Sequence, residues 1–410
     1  MISAAVALAT LAVGCTGAPA TTSPPRPDIT GGATDGTPSR SASASATGSA
    51  TETTSGSGGP SASATVPTPV QCAAKLVEAM SLTQRAGQLV MVGITDAGPS
   101  ELRVLRTQQI GSVILMGTRT SGVSGVKKVT ARLAWKGQKV PLLVAADQEG
   151  GTVQRLKGPG FDTIPSARVQ ATWSSATLQS RATRWGRQLA AAGVHWTLAP
   201  VADVVPAGMI NRNAPIGALR RGYSSDPATV TGKVTAFVRG MRAAGVATSA
   251  KHFPGIGRVV GNTDFTAGVK DTVTTRDDPY LQPFEGAIDA RVPSVMVSTV
   301  TYTKIDPAQP AVFSRSVIGL IRGFGFKGVV ISDDLGAARS MAAVPAGQRA
   351  IRFVKAGGDV AITVAPALAD EFVNGIVAAA KTSPSVRTQV QRAAQRVLTM
   401  KIEQGLLPCG

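Results

Sequence analysis

Short runs of β-branched and other apolar residues recur along the chain at 88–93, 111–116, 142–146, 197–201, 246–250, 294–298, 328–331 and 360–364. Within each run the apolar positions are nearly consecutive rather than alternate, as expected of strands covered on both faces. The intervening stretches at 180–192, 228–244, 281–290 and 346–355 instead place apolar residues three and four apart among good helix formers. Strands alternating with helices predict a parallel α/β sheet. Eight such units predict a single (β/α)8 TIM-type barrel, with a doubly wound open sheet as the alternative.

A barrel of this kind builds its active site where the strands end. Here Asp147 follows run 142–146, Asp203 follows 197–201, Lys251 and His252 follow 246–250, and Ser332, Asp333 and Asp334 follow 328–331. Ionisable groups at four strand ends do not fit core packing, because burying them unpaired costs several kcal/mol each. They read together as a site.

The first 70 residues follow different rules. Residues 2–13 are a short apolar run, too short to span a bilayer, ending in Leu11-Ala12-Val13-Gly14-Cys15. This resembles a bacterial lipoprotein signal over residues 1–14, which implies lipidation of Cys15 and export to a membrane anchor facing the cell wall. From 15 to 70 the chain is almost entirely Ser, Thr, Ala, Gly and Pro, with only Arg26, Asp28, Asp35, Arg40 and Glu52 charged. Such a segment cannot bury enough apolar surface to fold and is expected to be a disordered linker. It would reach about 40 Å as a flexible coil. The catalytic-type domain is therefore expected over 71–410.

Charge and cysteine usage narrow the chemistry. The net charge is +18, and the segment before residue 71 contributes almost none of it. A basic domain attracts anionic polymers or lipid headgroups, but no aromatic-basic alternation or nucleic-acid motif is present. Only two histidines, His195 and His252, and three cysteines occur, too dispersed for a zinc cluster or a CxxC redox centre. No metal or organic cofactor is expected. In an exported chain, Cys72 and Cys409 at opposite ends of the folded region suggest a disulfide joining the termini.

Three stretches carry more specific information: Asp147-Gln148-Glu149-Gly150-Gly151-Thr152-Val153-Gln154-Arg155, then Lys251-His252-Phe253-Pro254-Gly255-Ile256-Gly257, then Ile331-Ser332-Asp333-Asp334-Leu335. In this order, on the third, fifth and seventh strands, they resemble the bacterial β-N-acetylhexosaminidases of glycoside hydrolase family 3, which trim N-acetylglucosamine from peptidoglycan fragments. The resemblance runs from Cys72 to Cys409. It implies an exo-acting, retaining β-N-acetylglucosaminidase acting on peptidoglycan-derived oligosaccharides, expected as a monomer. A β-glucosidase or a phosphorylase on the same fold, or a non-catalytic glycan-binding lipoprotein, are the alternatives.

Sugar hydroxyls are gripped by carboxylates and cations making several charge-assisted hydrogen bonds at once. Asp147, Arg155, Lys251 and His252 suit that task. Arg221 matches a further sugar-binding arginine by resemblance, with Arg220 as its possible substitute. Asp333 matches the family's nucleophile, and Lys251 and Arg155 are expected to keep it ionised. The family's proton donor is the histidine of an Asp-x-His pair just after the lysine-histidine motif. Here the loop reads Gly261-Asn262-Thr263-Asp264-Phe265-Thr266, so Thr266 stands in that histidine's place. A hydroxyl is too weak an acid for the task. His195 lies before the fourth strand, where core packing is expected. The donor is then expected to be Asp264, with Glu149 or a phosphate-dependent second step as the alternatives.

Overall fold

The computed structural model describes residues 66–409. The signal of residues 1–14, Cys15 and most of the expected linker lie outside the described residues. The first described helix, Pro69–Glu78, starts two residues inside the segment assigned to the linker, capped by the Thr68 side chain and opened by proline.

Eight parallel strands close into a barrel: β1 (Val90–Ile94), β2 (Ser112–Leu115), β3 (Leu143–Ala146), β4 (Trp196–Thr197), β5 (Ala247–Phe253), β6 (Ser294–Val297), β7 (Val329–Asp334) and β8 (Val360–Thr363). Each strand pairs with its neighbours in sequence, and β1 pairs with β8 through Val90 opposite Ala361 to complete the ring. All eight predicted runs are strands, and the open-sheet alternative is set aside.

Pleat alternation divides the residues of each strand between two environments. Met91, Ile114, Leu143, Ala145, Met296, Val329 and Ile331 belong to the cluster inside the barrel. Val90, Val92, Val113, Val144, Val295 and Val330 face the helices outside. Trp196 also points inward, where its indole N–H donates to Ser249 Oγ at 2.9 Å and Ser249 Oγ donates to Ser294 Oγ at 3.0 Å. That short chain satisfies polar atoms that would otherwise be left unpaired in the interior.

The outer layer follows the 3.6-residue period. In helix Pro227–Ala243, Val230, Val234, Phe237, Val238 and Met241 are buried, and Asp226 caps the first turn by accepting from Thr229 N. Helix Ser175–Ala191 meets it with Leu178, Ala182, Trp185 and Leu189, and Trp185 lies 6.4 Å from Phe237 between ring centroids. Each such large apolar side chain contributes about 1.5–3 kcal/mol by leaving water.

The last helix, Pro384–Glu403, closes the amino-terminal end of the barrel by sending Val397 and Met400 into the interior cluster. The first helix packs along it, and a disulfide joins Cys72 to Cys409 with Cα atoms 5.5 Å apart. The pairing expected from the sequence is present.

Candidate active site

The strands that fill the barrel also carry its rim. β7 runs inward through Val329 and Ile331, and its register against β8 then shifts between Ile331 and Asp334, so the paired aspartates stand at an irregular strand end. Asp147 follows directly on β3, and Lys251 lies near the end of β5, where the register against β6 likewise shifts between Ala250 and Phe253. These residues therefore converge on the carboxyl end of the barrel.

A dense ion cluster forms there. Lys251 Nζ lies 2.8 Å from Asp147 Oδ1 and 2.7 Å from Glu149 Oε1. Arg221 clamps Glu149 with two bonds, Nε to Oε2 at 2.9 Å and Nη2 to Oε1 at 2.8 Å, and donates Nη1 to Pro215 O. Burial alone would drive protons off Lys251, but the carboxylates of Asp147 and Glu149 outweigh it and raise its pKa. Burial likewise favours a neutral Glu149, yet Arg221 and Lys251 hold its carboxyl well below the ordinary carboxylate range. Glu149 is thus a fixed anion that organises two cations. The expectation of Glu149 as an alternative proton donor is corrected.

Asp203, fully buried, holds the second motif in place. Its Oδ1 accepts from the backbone N–H groups of His252 at 3.2 Å and Ile256 at 2.8 Å, and its Oδ2 lies 2.8 Å from His252 Nδ1. The imidazole is oriented by a carboxylate, with Nε2 left for a ligand. Asn213 ties the loop carrying Arg221 to the same motif, accepting from Ile216 N and Gly217 N and donating to Ile256 O and Val259 O. The close approach explains Gly257, where a Cβ would come within 1.8 Å of Val204 O. Gly150 has φ of 108°, and a Cβ there would meet Pro165 O at 2.3 Å, so the turn after Glu149 needs glycine.

The paired aspartates divide their labour. Asp334 accepts from Gly336 N, Val364 N, Ala337 N and Ala338 N at 2.8 to 3.0 Å, and so builds the loop that follows β7. Asp333 accepts only from Asp334 N, at 2.9 Å, and makes no ion pair among the described residues. Lys251, expected with Arg155 to keep Asp333 ionised, is directed instead at Asp147 and Glu149. Arg155 is half-buried and forms no ion pair among the described residues; its backbone N–H donates to Asp147 O at 3.1 Å.

The loop of residues 261–266 is anchored over this edge. Arg339 N donates to Asp264 O and Ser340 N to Thr263 O, each at 3.1 Å, joining it to the segment after Asp334. Asp264 stands on the exposed rim, yet its carboxyl is close enough to Asp333, Asp334, His252 and Arg221 for their charges to act on it. Desolvation first, and then the negative charge of Asp333, push its pKa up to about 6, against the opposing charges of His252 and Arg221. The structure therefore brings together Asp147, Arg221, Lys251, His252, Asp264 and Asp333. Arg220 is exposed, and Arg221 alone reaches the ion cluster.

Two contributors were not assigned their roles from the sequence. Asp203 was visible only as a polar strand end, and Glu149 only within a glycine turn and as an alternative proton donor. Pairing either with its partner requires contact across 49 to 72 residues. His195, by contrast, sits at the other end of the barrel, its Nδ1 accepting from Val144 N at 3.2 Å. Burial and the nearby Lys401 charge lower its pKa to about 4.

Residues 81–400 match the family described as Glycosyl hydrolase family 3 N terminal domain. A Mycobacterium tuberculosis protein named Beta-hexosaminidase LpqI is 32% identical over 352 residues, covering 82% of this chain and 87% of that protein. A Beta-hexosaminidase from Stenotrophomonas maltophilia is 31% identical over 302 residues, covering 70% and 87% of the two chains. Among solved structures, a Beta-N-acetylhexosaminidase from Beutenbergia cavernae is similar with a TM-score of 0.76 and 45% identity, covering 80% of this chain and 99% of that one.

Proposed function

We propose, from the premise that this chain belongs to glycoside hydrolase family 3, that it removes terminal β-linked N-acetylglucosamine from oligosaccharides by a retaining double displacement. In the first step the Asp333 carboxylate attacks the anomeric carbon while Asp264 gives its proton to the departing oxygen. In the second, Asp264 takes a proton from water, whose oxygen attacks the same carbon and releases Asp333. Asp147, Lys251, His252 and Arg221 hold the sugar hydroxyls or support the groups that do.

The observation that carries this reading is the Asp264 carboxyl, raised to about 6 beside Asp333 on a loop fastened to the end of β7. A carboxyl kept protonated near neutral pH by burial and a neighbouring carboxylate is suited to the acid role. The loop's Thr266 cannot perform that transfer, and Glu149 is held ionised.

Peptidoglycan fragments are the proposed natural substrate, and the enzyme is proposed to act outside the cytoplasm, held to the membrane through Cys15. Support comes from the lipoprotein-like residues 1–15 and from the Cys72–Cys409 disulfide, a bond that persists in oxidising compartments.

The test is trapping with a 5-fluoro N-acetylglucosaminyl donor followed by peptide mass analysis. The adduct is expected on the peptide containing Asp333. An adduct elsewhere, or a strong preference for aryl glucosides over aryl N-acetylglucosaminides, contradicts the proposal.

A further inference from the structure

The end of the barrel opposite the catalytic rim carries a second concave feature. A cavity of about 870 Å³ and another of about 410 Å³ share Phe326, Lys327, Arg392 and Arg396 in their walls, so they adjoin as the two parts of a groove along this face. Its lining includes Val246, Val292, Gly328 and Asp359, the residues just ahead of β5, β6, β7 and β8. The groove thus crosses the amino-terminal ends of four successive strands. Asp333 lies near the other end of β7, some 15–20 Å away at about 3.3 Å per residue.

The groove is strongly cationic. Arg242, Arg291, Lys327, Arg392 and Arg396 line its larger part. Arg315 and Arg322 join Lys327, Arg392 and Arg396 in the smaller. Two acids oppose these seven cations. Asp359 is fully buried, and its carboxylate accepts from Arg322 Nη2 at 2.6 Å, Arg396 Nη1 at 2.8 Å and Val330 N at 2.8 Å. One negative charge therefore serves two guanidinium groups. Glu403 lines the larger part alone. Arg242, Arg291, Arg315, Lys327 and Arg392 are exposed and form no ion pair among the described residues.

We infer that this groove is a docking site for a linear polyanion, separate from the catalytic mouth. Three features favour a chain-like partner. The cations stand along both parts of the groove, which matches charge repeated along a polymer rather than one isolated anion. The exposed Val70 and the half-buried Ile288 and Pro293 along the larger part supply an apolar surface against which the uncharged links of such a polymer can lie. The cations also flank a concavity, which admits a strand and excludes a flat bilayer. Arginine predominates, and its planar fork grips phosphate or carboxylate oxygens in pairs. A glycosidase so equipped would be retained beside an anionic polymer while its catalytic rim stays free.

The test compares two triple variants with the same change in net charge. Arg315→Glu, Lys327→Glu and Arg392→Glu reverse exposed cations of the groove. Lys127→Glu, Lys128→Glu and Lys136→Glu reverse exposed cations on and just after helix Gly122–Ala131, on the side of β2 and β3. Binding to fluorescently labelled poly(glycerol phosphate) is followed by anisotropy across a salt series, alongside turnover of a small aryl N-acetylglucosaminide. The groove variant is expected to lose affinity by roughly tenfold or more, and the other variant less than about twofold. Both should keep wild-type turnover, which reports an intact fold. Equal losses in the two variants would assign binding to net charge alone and overturn the inference. So would absence of polymer binding by the wild type. Loss of binding to phosphatidylglycerol vesicles with polymer binding unchanged would reassign the groove to a membrane surface.

Discussion

Two buried lysines at opposite ends of the barrel make an instructive pair. Lys251 at the mouth and Lys401 at the floor are both almost fully shielded from water. Lys251 faces two carboxylates, and its pKa rises above the ordinary value despite burial. Lys401 has only neutral acceptors, Gln88 Oε1 at 2.6 Å and Pro141 O at 2.7 Å, and burial pushes its pKa from 10.5 down to about 7. The partner, rather than the depth, decides whether a buried amine stays charged. The carboxyl-terminal end is built to hold charge for chemistry. The amino-terminal interior is closed by packing, with a lysine that gives up its proton readily.

The largest effect that sharpens this contrast is at Asp333. Asp333→Ala is expected to lower kcat by roughly 10⁴-fold or more, whereas Lys401→Met should leave kcat nearly unchanged. Steady-state assay on an aryl N-acetylglucosaminide checks both.

Asp264→Ala is next. Turnover of a substrate with a poor leaving group should fall by about 10²–10⁴-fold, with a smaller loss for an activated aryl glycoside. In the wild type the acid must carry its proton, and its pKa is raised to about 6, so kcat/KM should decline as the pH climbs past that value. The variant should lack that limb of the profile.

Lys251→Met should cost about 3 kcal/mol in denaturant unfolding and raise KM, because Asp147 and Glu149 lose a buried partner. Lys401→Met should change stability at neutral pH by only about 1 kcal/mol, the lost hydrogen bonds offsetting the removal of a buried amine. Its signature lies in pH dependence. With a pKa near 7 folded and near 10.5 unfolded, the unfolded chain binds more protons in that window. Stability should therefore rise with pH from 7 to 10.5, by up to about 1.4 kcal/mol per pH unit, and Lys401→Met should flatten that rise. A slope unchanged in the variant would break the contrast between the two lysines.

Much of this architecture was legible in the sequence, because apolar runs and helical spacing are local signals. The errors fall where local signals stop. The run ending at 331 was cut before its aspartates, and the run ending at 250 before Lys251, although β7 continues to Asp334 and β5 to Phe253. Polar residues at a barrel rim remain in the ladder while their side chains turn to chemistry. Run 197–201 was placed slightly late, since β4 is Trp196–Thr197 and Pro200 lacks the N–H a ladder needs. The motifs marked Asp147, Lys251, His252 and Asp333, which the structure brings to one rim. They did not reveal that Lys251 turns to Glu149 rather than Asp333, because that choice depends on which side chains meet across about a hundred residues.

The most direct test of the two-carboxylate mechanism is azide rescue of Asp264→Ala on an activated aryl N-acetylglucosaminide. Azide needs no general base and can displace Asp333 from the glycosyl-enzyme at carbon 1. The account predicts faster turnover with azide and a β-configured glycosyl azide as product. Undiminished turnover of the variant on a poor-leaving-group substrate, with no azide adduct, would contradict it.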